Sequence, residues 1–388
     1  MRKVLLIEAQ IKQYRLPFYE QLYSMLGADH IELKVGYSNP SSVEATKKDT
    51  CDLPLNYGMK VKGYWLLHEK LLFQSLFRAA ITADLVVVDQ GNKFLLNYIL
   101  LPLSHMGIRR VAFWGLGKNC EDSQLRLSEW YRRKTLNWVS WWFAYTKGTS
   151  SYLVENRVPP LKITVVENAI DTRQIREHIE GIQMEERAVL RRRLGIPLSA
   201  PVGIFCGALH KAKSIPFLIE ASKLIRARIA DFHLIVLGGG PEESSVCAFV
   251  QGNSWMHMMG PRFGKAKSEL LAISDAFLMP GAVGLVILDA FAAGLPLLST
   301  RLNIHGPEME YLAEGINGLI SEPTVPAFAD MATSLLLNRD VLDRLKAGAR
   351  ESGAKYTIEN MVANFREGIH QCLGSSALPS AARILQRE

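Results

Sequence analysis

Residues 279–300, MPGAVGLVILDAFAAGLPLLST, combine a glycine-rich turn, the start of an apolar helix and a following apolar strand. Gly281 and Gly284 flank a segment in which no Cβ atom blocks the approach of a ligand to backbone N–H groups. A helix that begins at such a loop offers unpaired N–H groups and a positive dipole end to an anion. The pattern predicts either an ordinary strand–turn–helix–strand unit or a loop that binds an anionic ligand.

The composition bounds the class of protein. The chain has 388 residues, which predicts two or three domains, and its 48% hydrophobic content suffices for ordinary globular cores. The formal net charge is +7, and most of the positive excess lies in the first 180 residues. This charge favours anionic partners without choosing between a membrane, a nucleic acid and a phosphorylated substrate. No pattern typical of DNA- or RNA-binding modules accompanies it, so we expect no nucleic acid partner.

Five cysteines are scattered along the chain without a Cys-x-x-Cys pair or a Cys/His cluster. They predict neither a disulfide framework nor a zinc site, and they favour a reducing, cytoplasmic setting. The first ten residues, MRKVLLIEAQ, contain an apolar run that is too short for a signal peptide and is typical of a buried strand. Since no run approaches about 18 apolar residues, we expect no membrane-spanning segment and a protein that is soluble or peripheral to a membrane.

Short apolar runs alternate with helix-like segments along the chain, as is typical of doubly wound α/β domains. Residues 65–82 are interpreted as one helix, and residues 38–62 as a polar loop. The predicted strands include residues 3–8, 31–36, 84–89, 110–114, 202–206, 233–237 and 276–279.

Two consecutive α/β domains are predicted from this alternation. The N-terminal domain covers residues 1–171 and the C-terminal domain residues 172–357, while a helix over 358–388 is expected to pack back on the N-terminal domain. The charged segment 171–200 is the connector between the halves. A cleft between two such domains is the expected place for a substrate.

Residues 125–146, LRLSEWYRRKTLNWVSWWFAYT, interleave aromatic and basic side chains. An amphipathic helix at a membrane interface has this composition. A helix that packs on the core and exposes a basic face has it too, and the sequence leaves both interpretations open.

Three features of the second half are suited to a phosphorylated ligand, and each follows a predicted strand. Lys213 ends the segment GALHKAK (207–213), and its ammonium group is a natural partner for phosphate. The turn Gly238–Pro241 can direct backbone N–H groups at a diphosphate. Asp289 can accept hydrogen bonds from ribose hydroxyls. Each feature alone is weak, but their recurrence at strand ends favours a nucleotide site.

The ordered set of segments resembles the donor half of retaining glycosyltransferases of family 4, which have the GT-B fold. The segments of the second half that carry this resemblance are GALHKAKSIPFLIEA, VLGGGP, SDAFLMPGAVGLVILDAFAAGLP and HGPEMEYLAEGINGLI. In the first half, YRLPFYEQL, WGLGKN and YTKG with ITVVENAID resemble bacterial members that build surface polysaccharides. The resemblance implies an α/β chain in which two Rossmann-like domains face each other across a cleft.

The resemblance also implies roles for individual residues. Lys213 matches the lysine that contacts the donor diphosphate and is the expected catalytic residue, since it would offset charge on the leaving group. The expected donor-binding residues are Gly207, Gly238, Gly240, Pro241, Met258, Arg262, Gly281, Gly284, Leu285 and Asp289, with Met258–Arg262 at the nucleobase and Asp289 at the ribose. The expected acceptor-side residues are Tyr14, Arg15, Trp114, Gly115, Gly117 and Asn119.

Three positions depart from the family pattern. Ala208 replaces an arginine, Gly281 replaces the first glutamate of the family's glutamate pair, and Leu116 replaces a histidine between two glycines. The missing glutamate usually contacts the donor sugar, so the identity of that sugar stays open. No catalytic side chain is assigned in the first half.

The resemblance implies a retaining hexosyltransferase that takes a sugar from a nucleotide-diphosphate sugar. The expected acceptor is lipid-linked or an oligosaccharide, in the synthesis of O-antigen, capsule or exopolysaccharide, with no metal and no cofactor. The basic first half fits an anionic membrane surface at the inner face of the cytoplasmic membrane. Two alternatives stay open: a GT-B nucleotide-sugar epimerase, and an inactive scaffold in a polysaccharide-assembly complex.

Overall fold

The computed structural model describes residues 1–46, 49–118 and 126–375. The chain divides into two compact units. The first contains Met1–Ile170 together with Ile358–Glu388, and the second contains Asp171–Thr357. The division falls one residue before the boundary expected from the sequence.

A parallel sheet forms the centre of the first unit. Its order is β3-β2-β1-β6-β7-β8-β9 among the described residues, while β4 and β5 pair separately as an antiparallel hairpin. The central strands are buried on both faces, which explains their continuous apolar sequences. The strands are β1 (Arg2–Ile7), β2 (Ile31–Tyr37), β3 (Gly58–Lys60), β4 (Gly63–Leu66), β5 (Leu71–Gln74), β6 (Leu85–Asp89), β7 (Val111–Gly115), β8 (Trp141–Ala144) and β9 (Ile163–Val165).

Helices connect these strands. Pro17 lies in the first turn of α1, where its missing N–H costs nothing. The Thr146 side chain caps α6 by accepting a hydrogen bond from the Thr149 N–H. The helices are α1 (Leu16–Ala28), α2 (Ser42–Ala45), α3 (Phe77–Thr82), α4 (Asn97–His105), α5 (Arg126–Thr135) and α6 (Lys147–Glu155).

The prediction of one helix over residues 65–82 is wrong, because this segment forms the β4–β5 hairpin and only then the short helix α3. Its exposure follows the two-residue period of a strand. Trp65 and Leu72 point inward, whereas Tyr64 and Phe73 are exposed on the opposite face. The prediction failed because the leucines of this segment recur at intervals that also fit an amphipathic helix. The polar loop predicted over 38–62 contains α2 and β3.

The second unit contains another parallel sheet, in the order β12-β11-β10-β13-β14-β15 among the described residues. Its strands are β10 (Val202–Cys206), β11 (His233–Leu237), β12 (Met256–Gly260), β13 (Ala276–Met279), β14 (Leu297–Thr300) and β15 (Gly318–Ser321). Its helices are α7 (Arg173–Gly181), α8 (Met184–Arg193), α9 (Ile215–Arg228), α10 (Glu243–Val250), α11 (Gly264–Ala272), α12 (Val286–Ala292), α13 (Val325–Leu337) and α14 (Arg339–Lys355).

Helix α15 (Ile358–Gly374) belongs to the first unit. Its Phe365 stacks on Phe143 of β8, with ring centroids 4.0 Å apart. At the end of α1, the Asp29 carboxylate accepts hydrogen bonds from both Arg366 and His370. The remainder of the helix predicted over 358–388 lies outside the described residues from 376 onward.

The carboxyl ends of the parallel strands lie at one edge of each sheet, called here its carboxyl edge. The chain segments that follow neighbouring strands therefore meet there, which is where open α/β sheets bind ligands. Across the described residues, no helix is both long and apolar enough to cross a membrane.

Candidate functional site

Lys213 lies at the carboxyl edge of the second sheet. It ends a 3-10 helix, Lys211–Lys213, that follows β10, and the next residue, Ser214, has a left-handed φ of 55°. The Lys213 ammonium group donates a hydrogen bond to the carbonyl oxygen of Ala282 in the loop after β13. Burial lowers the pKa of Lys213 from its usual value. The lysine is thus fixed between the loops after β10 and β13.

The glycine turn Gly238–Pro241, which follows β11, packs directly on residues 207–213, called here the Lys213 loop. A Cβ atom on Gly238 would lie 1.9 Å from the Gly207 carbonyl oxygen, and one on Gly240 would lie 2.5 Å from the Leu209 oxygen. Both glycines also have positive φ values, of 143° and 149°. The Leu209 N–H donates to the carbonyl of Gly239 at 2.9 Å. Close packing of the two loops therefore requires glycine at 238 and 240.

Gly281 makes an equally close contact on the other side of Lys213. A Cβ atom at this position would lie 2.3 Å from the Lys213 carbonyl carbon, and the neighbouring Ala282 N–H donates to the Ala212 oxygen at 2.8 Å. A glutamate at position 281, which the resemblance implies, would have no room here unless the loop that carries Lys213 moved.

His305 holds the glycine-rich loop in place, a role that the sequence did not suggest. Its Nδ1 accepts a hydrogen bond from the Val283 N–H at 3.1 Å, and its Nε2 donates to the Thr300 carbonyl at 2.8 Å. These two bonds fix the tautomer, and burial lowers the pKa of His305. Gly284 follows in this loop with open space around its Cβ position, and Leu285 leads into α12.

Asp289 is buried on α12 and forms an ion pair that the sequence did not predict. Its Oδ1 accepts a hydrogen bond from Lys267 of α11 at 3.0 Å. Burial alone would lower the pKa of Lys267, but Asp289 outweighs it and raises that pKa. Burial, with a smaller contribution from Asp289, raises the pKa of the nearby Cys206 thiol to about 12. The Asp289 carboxylate therefore shares this edge with two lysines, Lys267 and Lys213.

The segment predicted to contact a nucleobase lies beside the glycine turn. The Gly238 N–H donates to the Gly260 carbonyl at the end of β12, at 3.1 Å. Met258 is half-buried on β12, while Arg262 and Pro241 are exposed. The structure thus brings the predicted donor-binding residues to one carboxyl edge.

In the first unit, the structure brings together several residues predicted to lie on the acceptor side. The Arg15 guanidinium is buried and lies 5.3 Å from the ring centroid of Tyr14 and 4.9 Å from that of Trp114. Gly115 ends β7, and the Gly117 carbonyl accepts a hydrogen bond from Gln90. Asn119 lies outside the described residues.

Two carboxyl groups at the carboxyl edge of the first sheet were not predicted from the sequence. Glu8 follows β1 and Asp89 ends β6, and these two strands are neighbours in the sheet. The Tyr19 hydroxyl donates to Glu8 Oε1 at 3.0 Å. Burial, followed by the charge of Asp89, raises the pKa of Glu8 to about 7. Burial also raises the pKa of Asp89. The one sequence signal for this pair is that each acid stands directly at the end of an apolar strand.

Residues 200–338 match the family model described as Glycosyl transferases group 1. This segment lies within the second unit. The chain is 33% identical over 184 residues to a D-inositol 3-phosphate glycosyltransferase of Corynebacterium urealyticum, covering 44% of this chain and 43% of the relative. It is 29% identical over 178 residues to the lipopolysaccharide core biosynthesis glycosyltransferase LpsE of Rhizobium meliloti, covering 42% and 48%. The chain spans about half the length of the curated relatives it matches.

Solved structures of bacterial proteins share the fold. The Anabaena protein HepE, in complex with UDP, has a TM-score of 0.69 at 14% identity, covering 95% of this chain and 99% of HepE. WaaG, a glycosyltransferase involved in lipopolysaccharide biosynthesis, has a TM-score of 0.62 at 14% identity, covering 94% and 98%. The prediction of a GT-B fold built from two Rossmann-like halves is confirmed.

Replacing Gly281 by alanine tests the packing around Lys213. Gly281→Ala is expected to lower the free energy of unfolding by about 1–3 kcal/mol, because its Cβ would overlap the Lys213 backbone. Gly284→Ala is the matched control and is expected to change it by less than about 0.5 kcal/mol, since its Cβ meets open space. Chemical denaturation measures both. Equal losses in the two variants would contradict the observed packing.

The raised pKa of Glu8 predicts a pH dependence of stability. Folded Glu8 keeps its proton up to about pH 7, whereas unfolded Glu8 releases it near 4.5, so the free energy of unfolding should fall as pH rises between these values. Glu8→Gln keeps the acceptor for Tyr19 but cannot ionise, and it should gain about 1–3 kcal/mol over the unsubstituted protein above pH 7. Urea denaturation between pH 4.5 and 8 measures this difference.

Glu20→Gln, an exposed position on α1, is the control for the same substitution. A pH profile of Glu8→Gln that runs parallel to the profile of the unsubstituted protein would refute the raised pKa.

Proposed function

We propose that the chain is a retaining glycosyltransferase that moves a sugar from a nucleotide-diphosphate sugar to a lipid-linked or oligosaccharide acceptor. The pathway we propose is the synthesis of an envelope polysaccharide such as O-antigen, capsule or exopolysaccharide. The names of the relatives support this class: LpsE acts in lipopolysaccharide core biosynthesis, and another relative is a GDP-mannose-dependent mannosyltransferase of Mycobacterium tuberculosis.

The observation that carries the proposal is the position of Lys213 between the three loops of the second carboxyl edge. An ammonium group has three donors, so Lys213 keeps hydrogen-bonding capacity beyond its bond to Ala282. A cation held there can stabilise the charge that develops on a departing nucleotide diphosphate. Desolvation strengthens this interaction, and the Lys213 pKa is lowered by burial.

The remaining donor contacts follow from the same edge. Met258–Arg262 would contact the nucleobase, and Asp289 would bind the ribose hydroxyls. Lys267 holds Asp289 in position by donating a hydrogen bond to its Oδ1, and a carboxylate group suits a site at which ribose hydroxyls donate. The reaction needs no metal in this proposal, because Lys213 would supply the positive charge at the diphosphate.

The first unit would bind the acceptor at its own carboxyl edge. Arg15, Glu8 and Asp89 lie there with the aromatic rings of Tyr14 and Trp114. Carboxyl groups and aromatic rings are suited to the hydroxyls and apolar faces of a saccharide. Because the first half of the chain is basic, we place the acceptor at an anionic membrane surface, on the cytoplasmic side.

Lys213→Ala is expected to reduce sugar transfer by about 100-fold or more, because removal of one group that stabilises the transition state has effects of this size. Lys211→Ala is the matched control, since Lys211 is exposed on the same 3-10 helix, and it should transfer sugar at the normal rate. The assay supplies UDP-, GDP- and dTDP-hexoses with lipid-linked oligosaccharide acceptors. NMR of the product determines whether the anomeric configuration is retained.

The outcomes separate the proposal from its rivals. Conversion of the nucleotide-sugar without any acceptor would favour an epimerase, and an inactive protein that binds no nucleotide would favour a scaffold. Transfer by Lys213→Ala at the rate of the Lys211→Ala control would remove Lys213 from the mechanism.

A further inference from the structure

The β4–β5 hairpin exposes an apolar face in the first unit. Tyr64 and Phe73 are cross-strand partners on this face, with ring centroids 6.2 Å apart and exposures of 45% and 46%. Leu66 is 44% exposed on the same strand, and Phe77 is 44% exposed just beyond the hairpin. The opposite face packs through Trp65 and Leu72 against Ala9 and Phe94. The outward apolar side chains are therefore not needed to fill the core.

The tip of the hairpin holds a further apolar side chain in solvent. Leu67, His68 and Glu69 have left-handed φ values of 50°, 55° and 64°, a conformation that non-glycine residues rarely adopt. The Glu69 carboxylate accepts hydrogen bonds from the Ser42 N–H and hydroxyl at 2.8 and 2.9 Å, which fastens the turn to α2. The fastened turn leaves Leu67 67% exposed.

The segment that carries this apolar face is basic. Residues 62–78 contain Lys62, Lys70 and Arg78 against the single acid Glu69, whose carboxylate faces Ser42. Lys62 Nζ lies 5.1 Å from the ring centroid of Tyr64. A segment that combines exposed aromatic and leucine side chains with lysine and arginine has the composition of surfaces that bind anionic bilayers.

The hairpin is attached to the carboxyl edge of the first sheet. Gln74 Nε2 donates to the Glu8 carbonyl at 2.8 Å, and Trp65 Nε1 donates to the Asn39 carbonyl. The Leu72 N–H donates to the Lys93 carbonyl in the loop after β6. These bonds place the hairpin beside the edge that contains Glu8 and Asp89, with its apolar face turned outward.

We propose that the outward face of the β4–β5 hairpin, with Leu67 at its tip, docks on an anionic lipid bilayer and sets the first carboxyl edge at the membrane surface. The proposal rests on the proposed function, because a lipid-linked acceptor must be reached at such a surface. It assigns membrane contact to the hairpin rather than to the basic helix α5.

Sedimentation of the full chain with vesicles tests this assignment. The unsubstituted chain is expected to bind vesicles of phosphatidylcholine mixed with phosphatidylglycerol and to bind phosphatidylcholine vesicles weakly. Leu67→Asp, or the pair Tyr64→Ser with Phe73→Ser, should weaken binding to the anionic vesicles by about tenfold or more. Leu161→Asp is the matched control, because Leu161 is 89% exposed next to β9 at the far side of the sheet. It should bind normally.

Charge-reversal variants determine whether the hairpin or α5 contacts the bilayer. Lys62→Glu with Lys70→Glu should abolish binding to anionic vesicles, whereas Arg133→Glu with Lys134→Glu on α5 should leave most of it. Loss of binding only in the α5 pair would overturn the proposal. Equal vesicle binding by Leu67→Asp and the unsubstituted chain would also overturn it. So would the finding that the chain binds no vesicles and instead forms a dimer that Leu67→Asp disrupts.

Nucleotide binding by the same variants keeps this inference distinguishable from the proposed function. The hairpin variants should bind nucleotide normally, since the hairpin belongs to the other unit. A chain that binds nucleotide but no vesicle would overturn the docking surface alone. A chain that binds vesicles but no nucleotide would overturn the sugar-transfer proposal.

Discussion

Three loops at the carboxyl edge of the second sheet approach one another so closely that a Cβ atom at Gly238, Gly240 or Gly281 would overlap a neighbouring backbone. This steric constraint fixes the conformation of the loop that carries Lys213. The lysine is held from both sides, by Gly207–Leu209 packed on the glycine turn and by Ala282, which accepts its hydrogen bond. A cation whose position is fixed before the ligand arrives needs little reorganisation when charge develops on a diphosphate.

The same constraint acts at Gly281, the position at which the sequence resemblance implies a glutamate. A glycine there allows the loop after β13 to reach the Lys213 backbone. His305 then fixes the rest of that loop through Val283. In the proposed function, donor specificity would depend on loop conformation and on the Lys267–Asp289 pair more than on an acid at 281.

The central strands could be predicted from the sequence, because a strand that is buried on both faces has an uninterrupted run of apolar residues. The bounds of β10, β11 and β13 match the prediction residue for residue. The hairpin at 63–74 could not be predicted, because leucines spaced for a helix also satisfy a strand with one exposed apolar face. Lys267, His305 and Glu8 were missed for another reason. Their partners Asp289, Val283 and Tyr19 are distant in sequence or unremarkable in type, so only the folded chain shows the contacts.

The central claim is that the second carboxyl edge binds the diphosphate of a nucleotide. Calorimetric titration of the chain with UDP, GDP and dTDP, each compared with its nucleoside, tests it most directly. The account predicts that one diphosphate binds at least about tenfold more tightly than its nucleoside, because charge-assisted hydrogen bonds to Lys213 and the loop backbone are available only to the phosphates. Equal affinities of nucleoside and diphosphate, or no binding of any of the three, would contradict the claim.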